Sequence, residues 1–212
     1  LLNIAFLFDL HNDWLEKHFH ASINKRPDTR INIFHTPDQI ENFDLVFVLG
    51  YTKILPESFL GSNDLVLLVH ESDLPRGKGF SPMQWQILEG KNTITVCLIE
   101  MSLKVDSGDI IDQTKIRLNG TELYEELRLK QAEATFRLIN KFLDSYPSFT
   151  RQPQTGKETS FPRRSMSDSE INIDGTIREQ FNLLRVVNNE EWPAFFYFNG
   201  IKYTLKIFKE NN

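Results

Sequence analysis

The stretch Leu65-Val66-Leu67-Leu68-Val69-His70-Glu71-Ser72-Asp73-Leu74-Pro75-Arg76-Gly77-Lys78-Gly79 decides the fold. Five apolar residues end abruptly in a His, and a Gly-rich basic loop follows. A short, continuously apolar run bounded by turn residues reads as a strand covered on both faces, as in a parallel sheet. In open α/β sheets, ligands bind outside the carboxyl ends of the strands. His70 therefore stands where a site belongs. Downstream, Ser81-Pro82 opens a helical pattern that closes at Gly90, with Ser as N-cap and Gly just past the end. Thr93 to Ile99 is β-branched and strand-like. The tight turn Asp106-Ser107-Gly108-Asp109 leads into a weaker strand, Ile110 to Leu118.

The chain on either side repeats the alternation. Asn3 to Phe8 reads as a buried first strand. Trp14, Leu15, His18, Phe19 and Ile23 fall near helical spacing until Pro27-Asp28 breaks it. Arg30 to Phe34 reads as a strand, Thr36-Pro37-Asp38 as a capped turn, and Leu45 to Leu49 as another buried strand closed by Gly50. Thr121 to Tyr146 is the longest helical pattern, with Leu123, Leu127, Ala134, Leu138 and Phe142 on one stripe. Strands alternating with helices predict an α/β fold on a largely parallel sheet. The segment 147–164 changes character, with Pro147, Pro153, Pro162 and Gly156 among Ser, Thr and Gln. It reads as a linker between a catalytic domain at 1–146 and a small C-terminal unit at 165–212. In that unit Thr176 to Val187 looks helical. Ala194 to Phe198 and Ile201 to Phe208 flank Asn199-Gly200, the two positive-φ residues of a type I′ hairpin. The exposed edge of this hairpin could pair across a homodimer.

Composition narrows the function. The 212 residues are 40% hydrophobic and 25% charged, enough for one core with a small appendage. The single cysteine, Cys97, excludes an internal disulfide framework and suits a reducing cytoplasm. It sits in an apolar strand and reads as packing. No run approaches the ~18 apolar residues of a membrane span, and no leader pattern is expected. The net charge of −5 gives no footprint for gripping a nucleic-acid backbone. His70-Glu71 is not a zinc motif, because Leu74 stands where the second His would be, and no Cys/His cluster exists, so no metal is expected. Arg76-Gly77-Lys78-Gly79 is too short for a P-loop. It offers backbone N–H groups and cations for a substrate diphosphate. His70 and Asp106 together are the candidate catalytic pair.

Taken in order, His70, Ser72, Leu74-Pro75, the loop Arg76 to Gly79, Pro82 to Trp85 and Asp106 to Asp109 resemble the folate-dependent formyltransferase family. The variant His70-Glu71-Ser72-Asp73-Leu74-Pro75 is most similar to its sugar-nucleotide branch, with the pseudaminic-acid pathway enzymes as the nearest match. The resemblance implies a Rossmann-like formyltransferase domain with a small C-terminal helix and β-hairpin unit. It implies a cytoplasmic enzyme that takes 10-formyltetrahydrofolate as co-substrate. The formyl group would pass to the amine of a nucleotide-linked amino sugar, such as UDP-4-amino-4,6-dideoxy-N-acetyl-altrosamine. Methionyl-tRNA and glycinamide ribonucleotide are the alternative acceptors. A folate- or nucleotide-sugar-binding protein without activity is the alternative of another class.

The resemblance also assigns residues. His70 would stabilise charge on the formyl oxygen or move the amine proton, and Asp106 would set its protonation. Lys53, Ile54 and Leu55, with Val105, would hold the folate. Ser72, Arg76, Lys78 and Gly79 would face the acceptor. Arg163 and Arg164, with Asp168, Ser169 and Ile171, resemble the segment that shapes the acceptor side, as do Arg185, Asn189, Trp192-Pro193 and Phe195. One position departs: the family carries an Asn two residues before the His, and this chain has Leu68. Its hydrogen bond must come from His70, Ser72, Gln84 or Gln86, with His70 the favoured donor.

Overall fold

The computed structural model describes residues 1–10 and 14–210. Strand β1 (Leu2–Phe8) lies between β2 (Thr29–Phe34) and β3 (Leu45–Leu49), and β4 (Val66–His70) follows β3. These four are parallel. Two antiparallel strands, β6 (Thr93–Glu100) and β7 (Ile110–Arg117), complete the order β2-β1-β3-β4-β6-β7. Helices α1 (Trp14–Ser22), α2 (Glu57–Gly61), α3 (Pro82–Leu88) and α4 (Tyr124–Ser145) make it an α/β fold with a mainly parallel sheet. The parallel run stops at β4 because the loop after His70 and the short α3 do not carry the chain back along the sheet. β6 therefore starts from the end where β4 arrives.

The apolar runs are continuous because both sheet faces are covered. In β1, Ile4, Phe6 and Phe8 enter one core cluster, while Ala5 and Leu7 enter the other. Phe6 stacks on Phe47 at 5.0 Å and meets the edge of Phe19 at 4.7 Å. Truncating such a ring costs about 3–5 kcal/mol. Helix α4 buries Leu127, Ala134, Leu138 and Phe142 of the expected stripe.

Local chemistry departs from expectation at three places. Ser81 adopts a left-handed conformation, φ 49°, and its side chain caps nothing. Pro82, with its fixed φ, opens α3 instead. Thr36 likewise makes no side-chain cap. The C-terminal helix α5 is only Phe181–Val186, shorter than Thr176 to Val187. Upstream, Glu179 takes the Thr176 N–H at 3.0 Å, and Gln180 takes the Asn172 N–H at 2.7 Å. Such side-chain bonds to backbone compete with helix. The hairpin of β9 (Ala194–Phe198) and β10 (Ile201–Leu205) turns on Asn199 and Gly200, φ 51° and 80°.

The Pro-rich segment is tied to the sheet domain. Ile110 and Gln152 exchange backbone hydrogen bonds at 2.8 and 2.9 Å. The two-residue strands β5 (Lys78–Gly79) and β8 (Ser160–Phe161) pair in parallel. Among the described residues, no helix is long and apolar enough to cross a membrane.

Candidate active site

β4 delivers His70 to its carboxyl end, where the ring is 5% exposed. Nε2 lies 2.8 Å from the Gly77 carbonyl oxygen. A carbonyl can only accept, so Nε2 carries the proton. Nδ1 is left facing Asp106 Oδ2 at 3.5 Å. That is longer than a direct charged hydrogen bond, about 2.7–2.9 Å.

Asp106 is held from three sides in a left-handed conformation, φ 48°. Its Oδ2 accepts the Gly79 N–H at 2.8 Å. Its carbonyl accepts from Gln154 Nε2 at 2.8 Å, and the same nitrogen donates to the Gly108 carbonyl at 2.8 Å. The turn needs its glycine: a Cβ on Gly108 would sit 1.6 Å from the Glu100 carbonyl oxygen. Gly79 is equally constrained, since its Cβ would meet the Phe161 carbonyl oxygen at 2.5 Å.

The pair lies in a cavity of about 690 Å³. Its walls come from the ends of β3 and β4, as expected for this sheet class. Its lining includes Ile54, Leu103 and Val105, which are 86%, 62% and 54% exposed. Lys53 and Leu55 line it too. Leu55 buries its side chain, so it offers main-chain groups. Nearby, burial, with the carboxylates of Asp9 and Asp38, pushes the Tyr51 phenol up, so it is a neutral hydroxyl.

Gly79, Arg163, Arg164 and Trp192 also line the cavity. The Arg163 guanidinium lies 4.2 Å from the Phe80 ring centroid, and Nη2 donates to the Thr52 carbonyl at 3.3 Å. Trp192 donates its indole N–H to Glu191 at 3.0 Å.

Of the residues expected on the acceptor side, Ser72, Arg76, Lys78 and Arg185 lie outside the cavity lining, as do Asp168, Ser169, Ile171, Asn189, Pro193 and Phe195. Ser72 is buried, with its hydroxyl unpartnered. Arg76 points to solvent from a turn closed by its own N–H on the Asp73 carbonyl at 3.1 Å. Lys78 turns inward and donates to Ser107 Oγ at 2.7 Å and Glu158 Oε1 at 2.8 Å. Hydrogen bonds from Lys78 and Lys104 hold the Glu158 carboxyl down to about 2. Arg185 is 1% exposed and pairs with Glu122 at 2.9 Å. Its cationic fork satisfies a buried carboxylate, which no loop sequence could announce. Of the proposed amide donors, Gln86 is consumed by the Glu71 and Pro82 carbonyls at 2.7 and 3.0 Å. Gln84 does line the cavity.

Sequence reasoning missed Arg128 of α4, which lines the cavity. Between Leu127 and Leu129, an Arg reads as a solvated helix face. It also missed Gln154, hidden in a stretch that reads as a linker.

The sequence pattern of the formyl transferase family matches residues 31–142, just over half of the chain. The chain belongs to the formyl transferase family. Methionyl-tRNA formyltransferase of Thermodesulfovibrio yellowstonii is 30% identical over 160 residues, covering 74% of this chain and 51% of that protein. The chain spans about half the length of the curated formyltransferases it matches. Among solved structures, methionyl-tRNA formyltransferase from Clostridium thermocellum superposes with a TM-score of 0.82 at 22% identity, covering 100% of this chain and 94% of that one. A 4-N formyltransferase from Francisella tularensis gives 0.79 at 19% identity, covering 100% and 99%. The formyltransferase fold is thus shared along the whole chain.

Proposed function

We propose that this chain transfers the formyl group of 10-formyltetrahydrofolate to the amine of a nucleotide-linked amino sugar. The observation that carries the reading is the buried His70–Asp106 pair, 3.5 Å apart in the wall of a cavity that Ile54, Leu55, Val105, Arg163, Arg164 and Trp192 also line. The folate would lie along Ile54, Leu55 and Val105, beside Lys53. The acceptor would enter by Gly79, Arg163, Arg164 and Trp192. The co-substrate supplies the formyl carbon. The chain supplies a base and a charge. As the amine bonds to the formyl carbon and the bond from that carbon to N10 breaks, the amine sheds a proton, which Nδ1 of His70 has the lone pair to take, and N10 of the departing tetrahydrofolate gains one. Asp106 then faces an imidazolium, whose other N–H stays anchored on Gly77. Such general-base help is worth about 10²–10⁴-fold.

A sugar N-formyltransferase from Shewanella shares this fold, and the amino-sugar reading itself rests on the sequence resemblance of His70 to Pro75. The finer reading is a UDP-4-amino-4,6-dideoxy sugar of the pseudaminic-acid type, handled in the cytoplasm. Met-tRNA is the second reading, favoured by the relatives at about 30% identity. In either case 1–146 would be the catalytic unit, 147–164 its connection and 165–212 a small docked unit, whose hairpin edge could serve a homodimer. The test incubates the protein with 10-formyltetrahydrofolate and separate acceptors: amino-sugar nucleotides, methionyl-tRNA and glycinamide ribonucleotide. Mass spectrometry reads the gain of one formyl group. Formylation of an amino-sugar nucleotide supports the reading; formylation of methionyl-tRNA alone overturns it.

A further inference from the structure

Arg128 and Arg164 approach the cavity from different parts of the chain, one from α4 and one from the segment after β8. Neither has a carboxylate within ion-pair distance among the described residues. Arg164 is 7% exposed, yet its Nε and Nη1 have no hydrogen-bond partner. Its single bond runs from Nη2 to the Asp168 carbonyl at 3.0 Å. Arg128 also leaves its buried Nε unpartnered. Its guanidinium lies 4.5 Å from the Trp14 ring centroid and 5.0 Å from that of Tyr124. Nη1 donates to Gln131 at 2.9 Å. Stacking on two rings fixes the plane of the fork before any ligand arrives.

Buried N–H groups without partners are rare and costly, and buried charges are normally paired. The two guanidinium groups also repel. Burial first, and the charge of Arg128 beside it, push the Arg164 pKa down, against the opposing pull of Asp168. Asp168 lies near but makes no ion pair with Arg164: its Oδ2 accepts the Ser165 N–H and hydroxyl at 2.6 and 2.9 Å, and Arg164 reaches only its carbonyl. Two guanidinium groups of like charge thus line one cavity with no ion-pair partner among the described residues, an arrangement that suits an anion.

We infer that Arg128 and Arg164 form an oxyanion subsite, and that its ligand is the phosphate or diphosphate of the acceptor. This rests on the functional reading above, which puts the acceptor on this side. Arg128 thereby becomes a specificity-determining residue that nothing in the sequence distinguished. Planar forks match tetrahedral phosphate oxygens two at a time, which a lysine cannot do. The anion is assigned to the acceptor because Arg164 lies in the segment that the family resemblance sets on the acceptor side; the folate arm of the test separates it from the folate's glutamate carboxylates.

The test measures the affinity of the purified chain for inorganic pyrophosphate, and separately for 5-formyltetrahydrofolate, by calorimetry at low salt. Arg128→Gln is expected to weaken pyrophosphate about tenfold or more and to change folate affinity less than twofold. Arg128→Lys should recover only part of the loss. Thermal melting checks that each variant is folded; if Arg128→Gln is not, Arg164→Gln carries the same expectation. Unchanged pyrophosphate affinity in a folded variant overturns the subsite, as does wild-type protein that does not bind pyrophosphate. Loss of folate affinity in place of pyrophosphate affinity overturns the acceptor assignment. Formyl transfer is read separately. Failure to formylate any acceptor, with pyrophosphate binding intact, removes the functional reading and leaves the subsite standing.

Discussion

His70 is clamped by its two ring nitrogens: Nε2 donates to the Gly77 carbonyl at 2.8 Å, and Nδ1 faces Asp106 at 3.5 Å. The bond to Gly77 fixes the tautomer of the neutral ring, and Asp106 stands where a proton taken up on Nδ1 would meet a carboxylate. Neither nitrogen is free to donate towards a formyl oxygen while Nε2 stays on Gly77. The favoured role of His70 therefore shifts from oxyanion donor to base.

His70→Ala should lower turnover by about 10²-fold or more and leave folate affinity intact. Steady-state kinetics paired with folate titration measure both. Near-wild-type turnover in a folded variant would remove His70 from the chemistry.

Gln84→Leu tests where the oxyanion donor is, now that Leu68 occupies the family's Asn position and Gln86 is consumed. Gln84 shares the cavity wall with Arg128. Turnover number should fall less than about threefold, with any larger effect on acceptor KM. A loss of about 10²-fold in kcat with both substrates still bound would identify the Gln84 amide as the donor.

Lys78→Ala should leave acceptor affinity unchanged, because Lys78 points away from the cavity into Ser107 and Glu158. The unfolding midpoint should fall by about 2–4 °C, the size expected for a lost bond worth ~1 kcal/mol. A selective drop in acceptor affinity, measured by calorimetry, would return Lys78 to the binding site.

Arg185→Met should destabilise the fold by roughly 3–5 kcal/mol, since it strands the buried Glu122 carboxylate. Adding Glu122→Gln should recover part of it. Burial alone would raise the Glu122 pKa. The N–H groups of Asn119 and Gly120, with Arg185, outweigh that and hold it below the ordinary 4.5. A lowered folded-state pKa means stability fully present above 4.5 and lost as the pH falls through the folded value. The melting temperature should thus be flat from neutrality to about pH 5 and decline more steeply below it than in the double variant. Parallel decline in both would show that folding does not lower the Glu122 pKa.

The sequence by itself determined the strand order of events along the chain. Continuous apolar runs at Leu45–Leu49 and Leu65–Val69 mean strands covered on both faces. The abrupt His70, the Asp106 turn and Asn199-Gly200 are local signals, because backbone conformation and strand ends are dictated within a few residues. Those signals also carried the resemblance that the family match supports. Side-chain destinations are different in kind. Whether Lys78, Arg128 or Arg185 meets solvent, a carboxylate or a cavity depends on elements tens of residues away. Arg185 reaches Glu122 across 63 positions, and Lys78 reaches Glu158 across 80. The direction of β6 and the clamp of Gln154 on Asp106 belong to the same class. A cation looks alike in every sequence; only the tertiary structure decides what charge it meets, because that is set by three-dimensional neighbours and not by the residues beside it.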